Sequence, residues 1–205
     1  MKFLKVLWAH GLEGKANGSK PTFLVEQYGW EVVSPEMAAN GWTISDQTNI
    51  ILETISANPD FDFIMGSSYG ALAIANAASQ LKDTDLKLVL LAPAFGLYEN
   101  FCDSIGKEAV AEWESCGTRS YFHHGFEHNV EFGWDFMESA ENNSWPKFSQ
   151  SAVIIHGTND DIVPFSFSKN YAQENENIEL ITVDDGHRLL ESLHQIGRAV
   201  ENLLK

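Results

Sequence analysis

Two cysteines in 205 residues are too few for a disulfide framework. Cys102 and Cys116 form no CxxC pair, and no histidine spacing near them suggests zinc, so they read as two reduced thiols of a cytoplasmic protein. Positive charge is scarce as well. Lys and Arg number 13 against 29 Asp and Glu, a formal net charge of −16. Nucleic acid and anionic membrane surfaces would both repel such a chain, so neither is expected as a partner. Long apolar runs are missing: "LVLLAPAFGLY" is the longest, too short to span a bilayer and interrupted by Pro93 and Gly96. The opening "MKFLKVLWAHG" is broken by Lys5 and His10, and no small-residue cleavage site follows, so no signal peptide is expected. Internal repeats and low-complexity tracts are also absent.

What remains is globular composition. Apolar residues make up 44% and charged residues 20%, enough for the core of one domain spanning 1–205. Six short runs look like buried strands: "FLKVLWA" near the start, "WEVVS" from Trp30, "FDFIMG" from Phe61, "LKLVLLA" from Leu86, "SAVIIHG" from Ser151 and "IELITV" from Ile178. They are rich in β-branched residues and leucine with little polar alternation, as in strands covered on both faces. Helix-like segments lie between them, most clearly Ile44 to Ala57, Tyr69 to Leu81, Phe165 to Gln173 and Leu189 to Leu204. Alternation of this kind predicts an α/β protein, a three-layer α/β/α sandwich on a mostly parallel sheet of about six strands. Between about Ala94 and Gln150 the alternation fails and no clean strand is evident. That segment holds 12 of the chain's 24 aromatic residues, which suggests a cap inserted into the domain rather than a disordered linker. Most of its rings would glue the insertion to the sheet, and a few would line an apolar cleft.

One junction carries chemistry. "DFIMGSSYGALAIANAA" passes from a buried run into an alanine-rich helix through Gly66-Ser67-Ser68-Tyr69-Gly70, a G-x-S-x-G pattern centred on Ser68. Between strand and helix such a turn must be sharp, with the central serine strained at its tip and the glycines removing side chains that would collide. The helix that follows aims its positive end at the serine. A serine hydroxyl is a poor nucleophile without a base, so a histidine and an orienting carboxylate are needed. "VIIHGTNDDIVP" ends a strand in a loop carrying Asp160 and Asp161. "LITVDDGHRLL" ends the next strand with His187. Spacing alone does not choose between the two aspartates. His187 is preferred over the other histidines because it alone sits in a loop after the last strand. His10 and His156 precede glycines at strand ends and read as loop braces, and His194 as part of the last helix. "HHGFEH" (His123, His124, His128) is interrupted by Gly125 and lacks supporting ligand spacing, so no metal is expected. The oxyanion donors would be the N–H of Tyr69 and that of Leu12, in "AHGLEG" after the first strand.

Together "HGLEG" at 10–14, "GSSYG" at 66–70, "HGTNDDIVP" at 156–164 and "DGHR" at 185–188 resemble the α/β-hydrolase fold family, and the small size is most similar to compact bacterial YqiA-like esterases. The third stretch resembles the family's HGxxDxxVP pattern, which implies Asp160 as the acid. The antiparallel strands that usually precede the first strand are missing, so about six strands, all parallel, are expected. The resemblance implies a cofactor-free serine hydrolase acting on a carboxylic ester or thioester, with Ser68 as nucleophile, His187 as base and Asp160 orienting it, and the aromatic cap favours a small or medium, apolar substrate. Two alternatives keep the same scaffold: a non-catalytic small-molecule-binding module, and a lyase or perhydrolase.

Overall fold

The computed structural model describes residues 3–81 and 84–204. In chain order its elements are β1 (Lys5–Ala9), α1 (Ser19–Tyr28), β2 (Glu31–Val33), α2 (Ile44–Ala57), β3 (Phe63–Ser67), α3 (Tyr69–Gln80), β4 (Leu88–Leu91), α4 (Leu97–Ile105), α5 (Lys107–Cys116), β5 (Thr118–His123), β6 (His128–Gly133), α6 (Asp135–Asn143), β7 (Ala152–Gly157), α7 (Phe165–Glu174), β8 (Ile178–Val183) and α8 (Gln195–Leu203). Six strands form one sheet in the order β2-β1-β3-β4-β7-β8, and every neighbouring pair is parallel.

The apolar runs build this sheet because each strand alternates its side chains between two covered faces. Leu7, Ile64, Leu88, Leu90 and Ile154 point to one face, against Ile44 and Ile51 of α2 and Leu72 of α3. Val6, Trp8, Phe63, Met65, Val89 and Ile155 point to the other, against Leu24 of α1 and Ile196, Ala199 and Val200 of α8. The result is the three-layer sandwich. Helix α2 starts on a capping box: the Asp46 N–H donates to Thr43 Oγ1 at 3.0 Å, and the Thr43 N–H donates to Asp46 Oδ2 at 3.1 Å. Helix α3 is buried from Tyr69 to Ala78, which its alanines allow by letting the sheet and α2 approach closely.

The order of strands reverses between β1 and β3. From β1 the chain moves outward to β2, then returns to add β3 on the other side. The loops after β1 and β3 therefore part at the carboxyl end of the sheet and leave a crevice there.

Two sequence expectations need correction. The 94–150 segment does contain strands: β5 and β6 form an antiparallel hairpin, pairing Thr118 with Gly133 through to His123 with His128. Both strands are largely solvent-facing, so they lack the continuous apolar run that marked the main sheet. Within this segment Trp113, Phe132 and Phe136 are fully buried, and both Trp113 and Phe132 stack on Phe136, the rings of Phe132 and Phe136 nearly parallel with centroids 4.8 Å apart. The last helix begins at Gln195, not near Leu189. Leu189 adopts a positive φ of 53°, and Asp185 Oδ2 takes the Glu191 N–H at 3.0 Å, so residues 187–194 run as turns. Cys102 and Cys116 are both free. Among the described residues no helix is long and apolar enough to cross a membrane.

Candidate active site

Ser68 sits at the tip of the turn from β3 to α3, with φ 55° and ψ −118°, a backbone region that residues other than glycine rarely enter. The turn is held from both sides: the Ser68 N–H donates to the Leu91 carbonyl at 2.8 Å, and its own carbonyl accepts from Leu72 and Ala94, each at 3.1 Å. Close packing explains the flanking glycines. A Cβ on Gly66 would stand 2.9 Å from the Ala9 carbonyl oxygen, and one on Gly70 would run into the carbonyls of Ala9 and His10. Gly11 is equally tight, since a Cβ there would lie 3.3 Å from the Ser68 Cβ, which brings the 10–14 loop beside the serine.

The two remaining loops are laced together before they reach Ser68. Asn159 N–H donates to the Asp185 carbonyl at 3.0 Å, Thr158 N–H to the Val183 carbonyl at 2.9 Å, and Asn159 Nδ2 to Asp184 Oδ1 at 2.7 Å. Gly157 allows this, because a Cβ there would collide with the Asp185 carbonyl. The lacing sets Asp160 beside His187. His187 Nδ1 lies 2.7 Å from Asp160 Oδ2, and His187 Nε2 lies 2.9 Å from Ser68 Oγ. An ionised carboxylate only accepts, so Nδ1 carries the proton and Nε2 is left to accept from the Ser68 hydroxyl. Asp161, the other aspartate of the pair, is exposed.

Asp160 has a fully buried side chain with every acceptor site in use. Oδ1 takes the N–H groups of Ile162 (2.9 Å) and Val163 (2.8 Å), while Oδ2 takes His187 and His156 (2.9 Å). Burial alone would push its carboxyl up. The hydrogen bonds from His156 and His187, the positive charge that His187 bears when protonated and the Val163 N–H outweigh that and hold it well below the usual carboxylate range. His156 is itself locked: Nε2–H donates to Asp160, so Nδ1 accepts from the Ser168 hydroxyl at 2.7 Å. The sequence reading of His156 as a loop brace missed this direct contact with the carboxylate. The four-residue spacing in "HGTND" was the available signal.

The two amides of interest lie at the start of α3 and in the loop after β1. The Tyr69 N–H opens α3 and belongs to the first turn, whose amides have no partner inside the helix. The Leu12 N–H makes no hydrogen bond among the described residues. The peptide that carries it is held through the Gly11 carbonyl, which accepts from the Gly14 N–H at 2.8 Å and from His10 Nδ1 at 2.9 Å. The next peptide, on the carbonyl side of Leu12, is held from the far side by the β5–β6 hairpin. The Phe126 N–H donates to His123 Nδ1 at 3.0 Å, so His123 Nε2 bears the proton and donates to the Leu12 carbonyl at 2.7 Å. Tyr121 adds a hydroxyl bond to Glu13 Oε1 at 2.6 Å. His123 is 1% exposed, and nothing local in "HHGFEH" shows that its partner lies 111 residues earlier. Among the described residues no group of three or more His, Cys, Asp or Glu could hold a metal ion.

Ser68 and His187 open into a cavity of about 810 Å³. Phe95, Phe101, Trp113, Tyr121 and Phe132 supply aromatic wall, all from the 94–150 segment.

This architecture is shared with solved structures. Mouse alpha/beta hydrolase domain-containing protein 10 superposes with a TM-score of 0.78 at 18% identity, over 99% of this chain and 90% of that one. The monoacylglycerol lipase of Paleococcus ferrophilus gives 0.74 at 17% identity, over 98% and 93%. Est1E of Butyrivibrio proteoclasticus, with ferulic acid bound, gives 0.73 at 18% identity, over 99% and 88%. At such identities the likeness establishes the fold: the chain has the α/β-hydrolase fold. No curated protein matches it in sequence. The family model described as uncharacterised protein family UPF0227 matches residues 35–203, most of the chain, and the protein belongs to that family.

Proposed function

We propose that the protein is a serine hydrolase that cleaves a carboxylic ester or thioester through an acyl-enzyme. The observation that carries this reading is the unbroken relay from Asp160 Oδ2 to His187 Nδ1 and from His187 Nε2 to Ser68 Oγ, at 2.7 and 2.9 Å. Ser68 attacks the acyl carbon as His187 Nε2 takes its proton. The carbonyl oxygen becomes an oxyanion facing the Leu12 and Tyr69 amides. Collapse of the tetrahedral intermediate breaks the bond to the alcohol or thiol, which leaves with the proton from His187. Water then attacks the acyl-Ser68 ester, again losing its proton to His187, and the acid departs. Asp160 remains ionised and keeps the imidazole in the reactive tautomer. Residues 94–150 act as a cap within a single domain, and their rings receive the apolar part of the substrate.

The test is covalent labelling with a fluorophosphonate probe, followed by turnover of p-nitrophenyl esters of graded acyl length and of acyl-CoA thioesters. Labelling confined to Ser68, absent in Ser68→Ala, with turnover on one of the panels, is the expected result. A folded protein that neither labels nor turns over any member would exclude the hydrolase and leave the binding module.

A further inference from the structure

The cavity wall contradicts the charge of the molecule around it. In a chain of net −16, four cationic side chains line this one cavity, Lys15, Lys20, Arg119 and Arg188, against two carboxylates, Glu13 and Asp161. None of the four forms an ion pair among the described residues. Lys20 and Arg188 are the most unusual. Lys20 is the second residue of α1, where a cation opposes the helix's own positive end, and no acidic residue stands in that first turn. It is partly buried, and burial and then repulsion from Arg188 lower its pKa, only partly offset by Asp185. Asp185 is already committed to the N–H groups of Gly186 and Glu191. Arg188 directly follows His187. In the same wall Trp8 is 1% exposed, and its indole N–H has no hydrogen-bond partner among the described residues. Two cations that repel one another, one of them at a helix N-terminus, are retained beside a reactive histidine with Asp185 as a partial offset and no ion pair among the described residues. A ligand anion between them would relieve each of these conflicts.

We propose that the Lys20–Arg188 corner of the cavity is an anion subsite that binds a carboxylate or phosphate on the substrate. As a statement about substrate this rests on the hydrolase reading; as a binding site it does not. The subsite selects esters with an apolar portion for the aromatic wall and one anionic group held beside His187.

Two measurements test it separately. In the first, inorganic phosphate and succinate are titrated into the protein by calorimetry. Wild type should bind, and Lys20→Gln and Arg188→Gln should weaken binding at least ~10-fold, the loss expected for one charge-assisted hydrogen bond. Lys20→Arg and Arg188→Lys, which keep the charge, should retain most of it. Failure of wild type to bind either anion, or unaltered binding by the glutamine variants, overturns the subsite whatever the ester assay gives. In the second, kcat/KM is compared for p-nitrophenyl butyrate, mono-p-nitrophenyl succinate (a carboxylate on the acyl side) and 4-butyryloxyphenyl phosphate (an anion on the alcohol side). The ratio of the favoured anionic ester to the neutral one should fall about 10- to 100-fold in the glutamine variants, and the favoured arm tells which side of the scissile bond the anion occupies. An unchanged ratio overturns the substrate role. Anion binding that depends on Lys20 and Arg188, in a protein that cleaves no ester, supports the subsite while removing the hydrolase.

Discussion

Replacing Asp160 by Asn changes one atom and tests the relay directly. The carboxylate now accepts four hydrogen bonds, two on each oxygen. An amide has a single oxygen, so two of the four contacts must face an NH₂ group. If that group faced the Ile162 and Val163 amides, buried donors would confront a donor, at about 1–3 kcal/mol for each amide left unpaired. The amide therefore turns its oxygen to the loop and its NH₂ to the two imidazoles, both of which have another tautomer. His156 then donates from Nδ1 to Ser168. His187 accepts at Nδ1 and carries its proton on Nε2, where it meets Ser68 Oγ and cannot take the serine proton. The expected loss in kcat is about 10⁴-fold, which corresponds to roughly 5.4 kcal/mol of transition-state stabilisation. The assay is steady-state turnover of the best p-nitrophenyl ester, run beside the rate of fluorophosphonate labelling, with circular dichroism to show that the variant is folded. Asp161→Asn, next door but exposed, should cost less than tenfold. A folded Asp160→Asn enzyme with more than a few per cent of wild-type kcat, or an inactive Asp161→Asn, would refute the tautomer argument.

Three further outcomes follow from the same geometry. Asp160 is held below its unfolded value, so it contributes stability above about pH 3.9, and that stability is lost as pH falls through that value towards the folded pKa. Acid titration followed by intrinsic fluorescence should show Asp160→Asn with a shallower loss between pH 5 and 3 than wild type; parallel curves would contradict the assignment. His123→Phe removes the donor to the Leu12 carbonyl, which lies in the peptide after the one carrying the Leu12 N–H, and should lower kcat by only about 10-fold while KM changes little, short of the 10²–10³ for an oxyanion donor lost outright; His123→Gln should recover part of the loss, and an equal effect on KM would point to a structural role only. Gly70→Ala should be favoured by helix propensity by about 1 kcal/mol. The Ala9 and His10 carbonyls against its Cβ instead predict net destabilisation of about 1–3 kcal/mol by chemical denaturation, and a stabilised variant would show that the contact relaxes freely.

The sequence alone sufficed for whatever depends on near neighbours. Buried β-branched runs alternating with helices are a local pattern, and they specified a parallel sheet because only strands covered on both faces can be so uniformly apolar. The strand–turn–helix around Ser68 was legible for the same reason, since its glycines answer to backbone within a few residues and to the adjacent strand. The β5–β6 hairpin was not legible, because a mostly exposed two-stranded ribbon carries no strong apolar signal. The late start of α8 was hidden too, because Asp185 and the positive φ of Leu189 reshape residues that read as helix. The choice of Asp160 over Asp161 came from a family resemblance, and only the lacing of the β7 and β8 loops aims one carboxylate at His187. Tertiary structure alone placed His156 on that carboxylate, His123 on the Leu12 carbonyl, and Lys20 beside Arg188. Each of these depends on side-chain direction and on partners 4 to 168 positions away, which hydrogen-bond geometry and desolvation decide and composition does not encode.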